Sequence, residues 1–206
     1  MPLSTRRYTE LRFTISDLVQ RDNWHDLFEI CGTADDEQSK AISMIFSMYE
    51  PKRSWKLLDY VMKLPASERR SKRYSMRTMC YILGRMGQSD TRRAINTLRI
   101  FLSDDHMLRE PVKAALSNLW VLDTRATSNL LLNWVTHSED NDDLPEIAVR
   151  SSEYAAMQEP SKVEKFLRKV SKLESYSKIA SKDAASLIEA YLPVKKRQKV
   201  KKGSSK

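Results

Sequence analysis

The sequence predicts an all-α protein, an α-solenoid of stacked antiparallel helix pairs. Three observations carry this expectation. Segments starting at 41, 77, 113, 149 and 185 (AISMIFSMYEP, RTMCYILGRMG, KAALSNLWVLD, VRSSEYAAMQE and ASLIEAYLPVK) align without a gap at a period of 36 residues, and self-similarity at a fixed period marks a repeat architecture. The alternate helices keep the same spacing: Ala94, Leu130 and Phe166 share one column, Ile95, Leu131 and Leu167 the next, and Leu98, Trp134 and Val170 a third. Only 4 glycines and 7 prolines interrupt the 206 residues, as long helices require, and no segment shows the two-residue alternation of a strand.

Apolar periodicity and boundary residues give each element in turn. The first pair, 9–20 and 23–31, departs from the register, because Leu27, Phe28 and Ile30 fall a few residues late for the column of Leu58 and Met62. Terminal repeats are often irregular because they cap a stack. A helix over 36–49 ends before Pro51, and Ser54 is placed to cap the next, 54–64, which stops at Pro65. Helices over 71–86, 90–102, 108–121 and 125–137 follow, with Asp90 as the cap of the second of these. Pro145 opens 145–157, Pro160 and Ser161 open 161–172, and 178–192 completes the series. A single pair exposes an apolar stripe, so stability has to come from stacking on its neighbours.

Residues 1–194 read as one elongated domain and 195–206 as a basic tail. The hydrophobic fraction is 41% and the charged fraction 31%, with no apolar run long enough to cross a bilayer. The opening MPLSTRRYTELRF has basic residues but no apolar stretch before a small-residue cleavage site, so export is not expected. Cys31 and Cys80 are the two cysteines, the latter inside MCYILG, where a reduced thiol behaves as a small hydrophobe. A cytoplasmic location is the expectation, or a nuclear one if the cell has a nucleus. Lys195, Lys196, Arg197 and Lys199 lie in a run resembling a monopartite import signal, which would serve equally as an arm for phosphates or as a solubilising tail.

The charge is segregated. The net charge is +9, but the tail from Lys195 carries seven basic residues and no acid, leaving +2 on residues 1–194. Residues 52–99 hold thirteen basic and three acidic side chains, whereas 137–159 hold one basic and seven acidic. Such polarity can steer a charged partner.

LRIFLSDDHMLREPVKAALSNL (98–119) resembles a HEAT repeat: an apolar helix ending at Leu102, an acidic turn at Asp104 and Asp105, then Val112 and Lys113 opening an Ala-rich second helix. WVTHSEDNDDLPEIAVRSSEYAA (134–156) is similar, with Val149 and Arg150 entering the second helix. The resemblance covers most of 36–192 and implies second helices that line a concave binding surface. On that surface it nominates Arg77, Tyr81 and Arg85, four residues apart on one helix face, with Tyr74 close by, Lys72 and Arg73 at the helix mouth, and Lys113 one repeat beyond Arg77. Basic groups interleaved with tyrosines suit either an acidic protein helix or a phosphate backbone with bases. A protein partner is the first expectation and nucleic acid the alternative, with a solvated face as the bland reading; no membrane partner is expected. The acidic cluster Glu139, Asp140, Asp142 and Asp143 lacks the glycine and terminal glutamate of a calcium loop and reads as a solvated turn.

Catalytic motifs are thin. His25, His106 and His137 lie in different repeats without partners at metal-ligand spacing, and neither cysteine has a second nearby, so no zinc site or other cofactor is expected. No His-Glu pair of the kind HEAT-like di-iron hydroxylases need, no Gly-rich phosphate loop and no nucleophile elbow occur. The third reading is a HEAT-like alkylpurine DNA glycosylase, a family to which the chain is similar in size, period and basic character. That likeness draws attention to Trp120, Asp123 and Arg125. However, Trp120 shares a column with Met48 and Leu192, and Trp134 one with Leu98 and Val170, which makes both indoles core residues. A non-enzymatic binding protein is therefore the expectation.

Overall fold

The computed structural model describes residues 4–49, 51–137, 143–173 and 178–192, and among them helices are the regular structure, with no strand. In chain order they are α1 (Thr5–Gln20), α2 (Trp24–Thr33), α3 (Asp36–Phe46), α4 (Pro51–Lys63), α5 (Ala66–Ser71), α6 (Arg73–Met86), α7 (Thr91–Asp104), α8 (Arg109–Leu122), α9 (Thr124–Thr136), α10 (Leu144–Ser151), α11 (Glu153–Gln158), α12 (Pro160–Val170) and α13 (Lys178–Tyr191). Short 3-10 turns at Gly87–Ser89 and His106–Leu108 lead into α7 and α8. None of these helices is long and apolar enough to cross a membrane.

The helix starts follow from local chemistry. Asn23, Asp90 and Asp123 each accept a hydrogen bond from a backbone N–H in the first turn of α2, α7 and α9, and Asp35 with Gln38 forms a capping box on α3. Pro51 and Pro160 are themselves the first residues of α4 and α12, a position where proline's missing N–H has no helical acceptor to lose. Ser54 and Ser161 therefore lie inside helices and do not cap them, contrary to the sequence expectation. The buried Ser54 hydroxyl donates to the Phe46 carbonyl at 3.4 Å.

Packing is sequential. α3 contacts α6, α6 contacts α8, α8 contacts α10, and α10 contacts α13. A second set does the same, α7 against α9 and α9 against α12. One hydrophobic cluster runs from Ile15 to Leu192. The columns deduced from the period are its substance: Ile82, Ile95, Leu116, Leu131 and Leu167 are all fully buried, as are Ala94, Leu98, Phe166 and Val170. Trp120 and Trp134 are in the core as expected, the former edge-on to Phe166 with its indole N–H donating to Ser151 Oγ at 3.0 Å. α6 and α8 approach closely at Gly84, where an added Cβ would lie 2.7 Å from the Ala115 Cα. Burial pushes the Cys31 thiol up to about 12 and the Cys80 thiol up as well, so both are inert core groups.

Three local departures from the expected elements have physical causes. α3 stops at Phe46, so Met48 lies beyond it and is 61% exposed instead of sharing the Trp120 column. Residues 66–71 form a separate turn of helix held by Arg69, whose guanidinium reaches the Leu64 carbonyl and the Asp104 carboxylate. The helix expected over 145–157 breaks at Ser152, where the Ser151 and Ser152 hydroxyls donate back to the carbonyls of Ala148 and Val149. Such bonds bend helices.

Candidate macromolecule-binding face

The stripe nominated on α6 lies beside α2 and α3, and its side chains bridge to them. Arg77 Nη2 donates to the Ala34 carbonyl at 2.9 Å and stands 5.5 Å from the centre of the Tyr74 ring. The Tyr81 hydroxyl donates to Asp36 Oδ1 at 3.0 Å, and Arg85 Nε donates to Ser43 Oγ at 2.9 Å. Lys72 pairs with Glu29 at 2.7 Å, Arg73 with Asp105 at 2.6 Å, and Lys113 with Glu110. Tyr74 remains open to solvent at 63%. Lys195, Lys196, Arg197 and Lys199 lie outside the described residues, as do Glu139, Asp140 and Asp142. Asp143 is described and pairs with Arg109 at 2.9 Å.

These contacts perturb the titrating groups in a consistent way. The Asp36 carboxyl is held below its ordinary value, chiefly by its bond to Lys40; burial opposes this, and the bond from Tyr81 and the charges of Lys40 and Arg77 add to the lowering. Burial and the neighbouring Asp36 raise the Tyr81 phenol. At Asp105, burial pushes the carboxyl up, but the bonds from Arg73 and from the Met107 amide outweigh it and the net direction is down. Beneath the stripe, a polar seam fastens α6 to its neighbours: the Thr78 hydroxyl donates to the Cys31 carbonyl at 3.0 Å and meets Ser39 Oγ at 2.9 Å. Ser75 Oγ and Arg77 Nε are buried there without a hydrogen-bond partner.

Extending the stripe to neighbouring helices adds residues that the sequence reading did not nominate. Lys40, Arg77, Lys113 and Arg150 recur at intervals of about one repeat along α3, α6, α8 and α10. Lys40 pairs with Asp36 and Glu37, and Arg150 with Glu146 and Asp183. Four residues on from Lys40, Arg77 and Arg150 stand Met44, Tyr81 and Tyr154, and eight residues on from Lys40, Arg77 and Lys113 stand Met48, Arg85 and Val121. Met44 is 42% exposed, Val121 56%, Tyr154 52% and Met157 51%. The signal was available as spacings of four and eight from these cations; the placement of Met48 in a core column concealed it.

Asp123 and the tryptophans do not form an exposed aromatic-and-carboxylate pair. Both indoles are buried, Asp123 Oδ1 accepts the Ala126 amide, and Asp123 Oδ2 accepts the Thr91 hydroxyl. No group of three or more metal-ligating side chains occurs among the described residues. No family model matches the chain, and no curated protein or solved structure matches it either.

Proposed function

We propose that this chain is a HEAT-like α-solenoid whose second helices, α3, α6, α8, α10 with α11, and α13, present a face that binds a protein partner. One observation carries the reading: along that face the repeated cations already have acceptors within the chain, while Met44, Met48, Val121, Tyr154 and Met157 stand exposed. Exposed methionines and aromatics among neutralised charges suit a protein surface, because thioethers and rings adapt to apolar partners. Arg77 and Arg85 would have to give up their contacts with Ala34 and Ser43 to meet phosphates, which weakens the nucleic-acid reading of the α6 stripe. The test is affinity capture from native cells with the wild-type chain and with Met48→Glu, Val121→Glu and Met157→Glu combined. All three positions are exposed, so helix content and Tm are expected to hold while the specific partner is lost. A partner retained by the triple variant with undiminished affinity overturns the assignment of this face.

A further inference from the structure

Some cations without partners among the described residues line a hollow elsewhere. Two clefts of about 620 Å³ and 380 Å³ adjoin, sharing Asp123, Arg125 and Asn129 in their walls, and together make up this hollow. Arg92 of α7 lines one end, Arg125 of α9 the middle, and Lys162 and Lys165 of α12 the other end. All four are exposed. Lys162 pairs with Glu159, whereas the side chains of Arg92, Arg125 and Lys165 have no hydrogen bond or ion pair among the described residues. The one acid in the hollow, Asp123, is committed by both oxygens to Thr91 and Ala126.

We infer that this hollow is a docking site for the backbone of a nucleic-acid duplex; it adjoins the protein-binding face proposed above at Val121, which lines both. Three successive helices at ordinary separations of about 8–10 Å span roughly 20 Å, too long for a single phosphate. A duplex presents about one negative charge per 1.7 Å of its axis, so a stretch of that length carries about twelve. Beside the cations stand Thr124, Ser128 and Asn129, the uncharged side chains that accompany Arg and Lys on phosphate and sugar oxygens. No aromatic residue lines the hollow, so it has no platform on which unpaired bases would stack. Recognition is therefore of the backbone and independent of sequence. The sequence carried a weak trace of the site, since Arg92, Arg125 and Lys162 follow one another at roughly one repeat, but their common edge becomes visible only when the helices are stacked.

The experiment uses the full chain, tail included, in fluorescence-anisotropy titrations against a 20-base-pair duplex, the matching single strand and poly-glutamate over a series of salt concentrations. Arg92→Gln, Arg125→Gln and Lys165→Gln are combined in one variant. A control, Lys63→Gln, Arg99→Gln and Lys169→Gln, removes the same charge from exposed side chains outside the hollow. The expected result is duplex binding that weakens at least about tenfold in the first variant, with a salt slope shallower by about 2–3, and that the control barely changes. Equal loss in both variants, no duplex binding at low salt, or preference for the single strand or poly-glutamate overturns the inference.

Discussion

Gly84→Ala sets a favourable local effect against an unfavourable tertiary one, and the structure decides which is larger. In an isolated helix the substitution gains about 0.8–1 kcal/mol. Here the new methyl would meet Ala115 at 2.7 Å from Cα, 3.1 Å from Cβ and 3.1 Å from the carbonyl oxygen. Carbon atoms prefer separations of about 3.5–4.0 Å, so α6 and α8 must part by up to about 1 Å at this point. The obstacle is largely backbone, which cannot rotate away. Overpacking of this kind costs about 1–3 kcal/mol, and the rigid obstacle places the cost near the upper end, for a net loss of about 2 kcal/mol. In a chain of this length that lowers Tm by about 4–8 °C, measured by circular dichroism melting and urea titration. Gly32→Ala is the internal comparison, because its methyl would meet chiefly the Ser75 hydroxyl at 2.6 Å, a group with no hydrogen bond to surrender. Gly32→Ala is expected to leave Tm within about 2 °C of the wild type. An unchanged or higher Tm for Gly84→Ala would refute the close-approach argument.

Leu116→Ala, at a fully buried position, is expected to cost about 2–5 kcal/mol in urea unfolding; a cost under 1 kcal/mol would mean that the site collapses around the cavity. Asp104→Ala leaves the Arg69 guanidinium, whose side chain is 9% exposed, without its carboxylate, and a loss of about 3–5 kcal/mol follows. Replacing the pair together, Arg69→Met with Asp104→Leu, should recover most of it, and failure to recover would assign the loss to something other than the stranded charge. Because the Asp105 carboxyl is held low when folded, the unfolded chain binds the extra proton in acid. Its contribution is fully present at neutral pH and is lost as pH falls below about 4. The stability gap between wild type and Asp105→Asn should accordingly narrow as pH falls below about 4, and a gap that stays constant down to strongly acid pH contradicts the assignment.

The helices and the core columns were legible because they depend on near neighbours and on a regular period: Ile95, Leu131 and Leu167 are buried where the spacing put them. The electrostatics were not legible by the same means. Residues 52–99 look strongly positive when counted along the chain, yet four of their thirteen cations find acids outside that window. Lys56 pairs with Asp22, Lys72 with Glu29, Arg69 with Asp104 and Arg73 with Asp105. In a stacked arrangement the electrostatic neighbour lies about one repeat away, so a sequence window separates charges that space brings together. The α6 stripe therefore looked more available to a charged partner than it is, while Arg92 and Lys165 gave no signal among single surface cations and Arg125 stood out only beside Trp120 and Asp123.

The short reach of these contacts bears on how the chain comes into being. No hydrogen bond named above joins residues farther apart than Thr78 and Cys31, 47 positions. At translation rates of about 5–20 residues per second, such a partner emerges within roughly 2–9 seconds. Each helix can therefore dock on one already in place while the ribosome is still adding the next, and the apolar face awaiting cover is never more than about one unit wide.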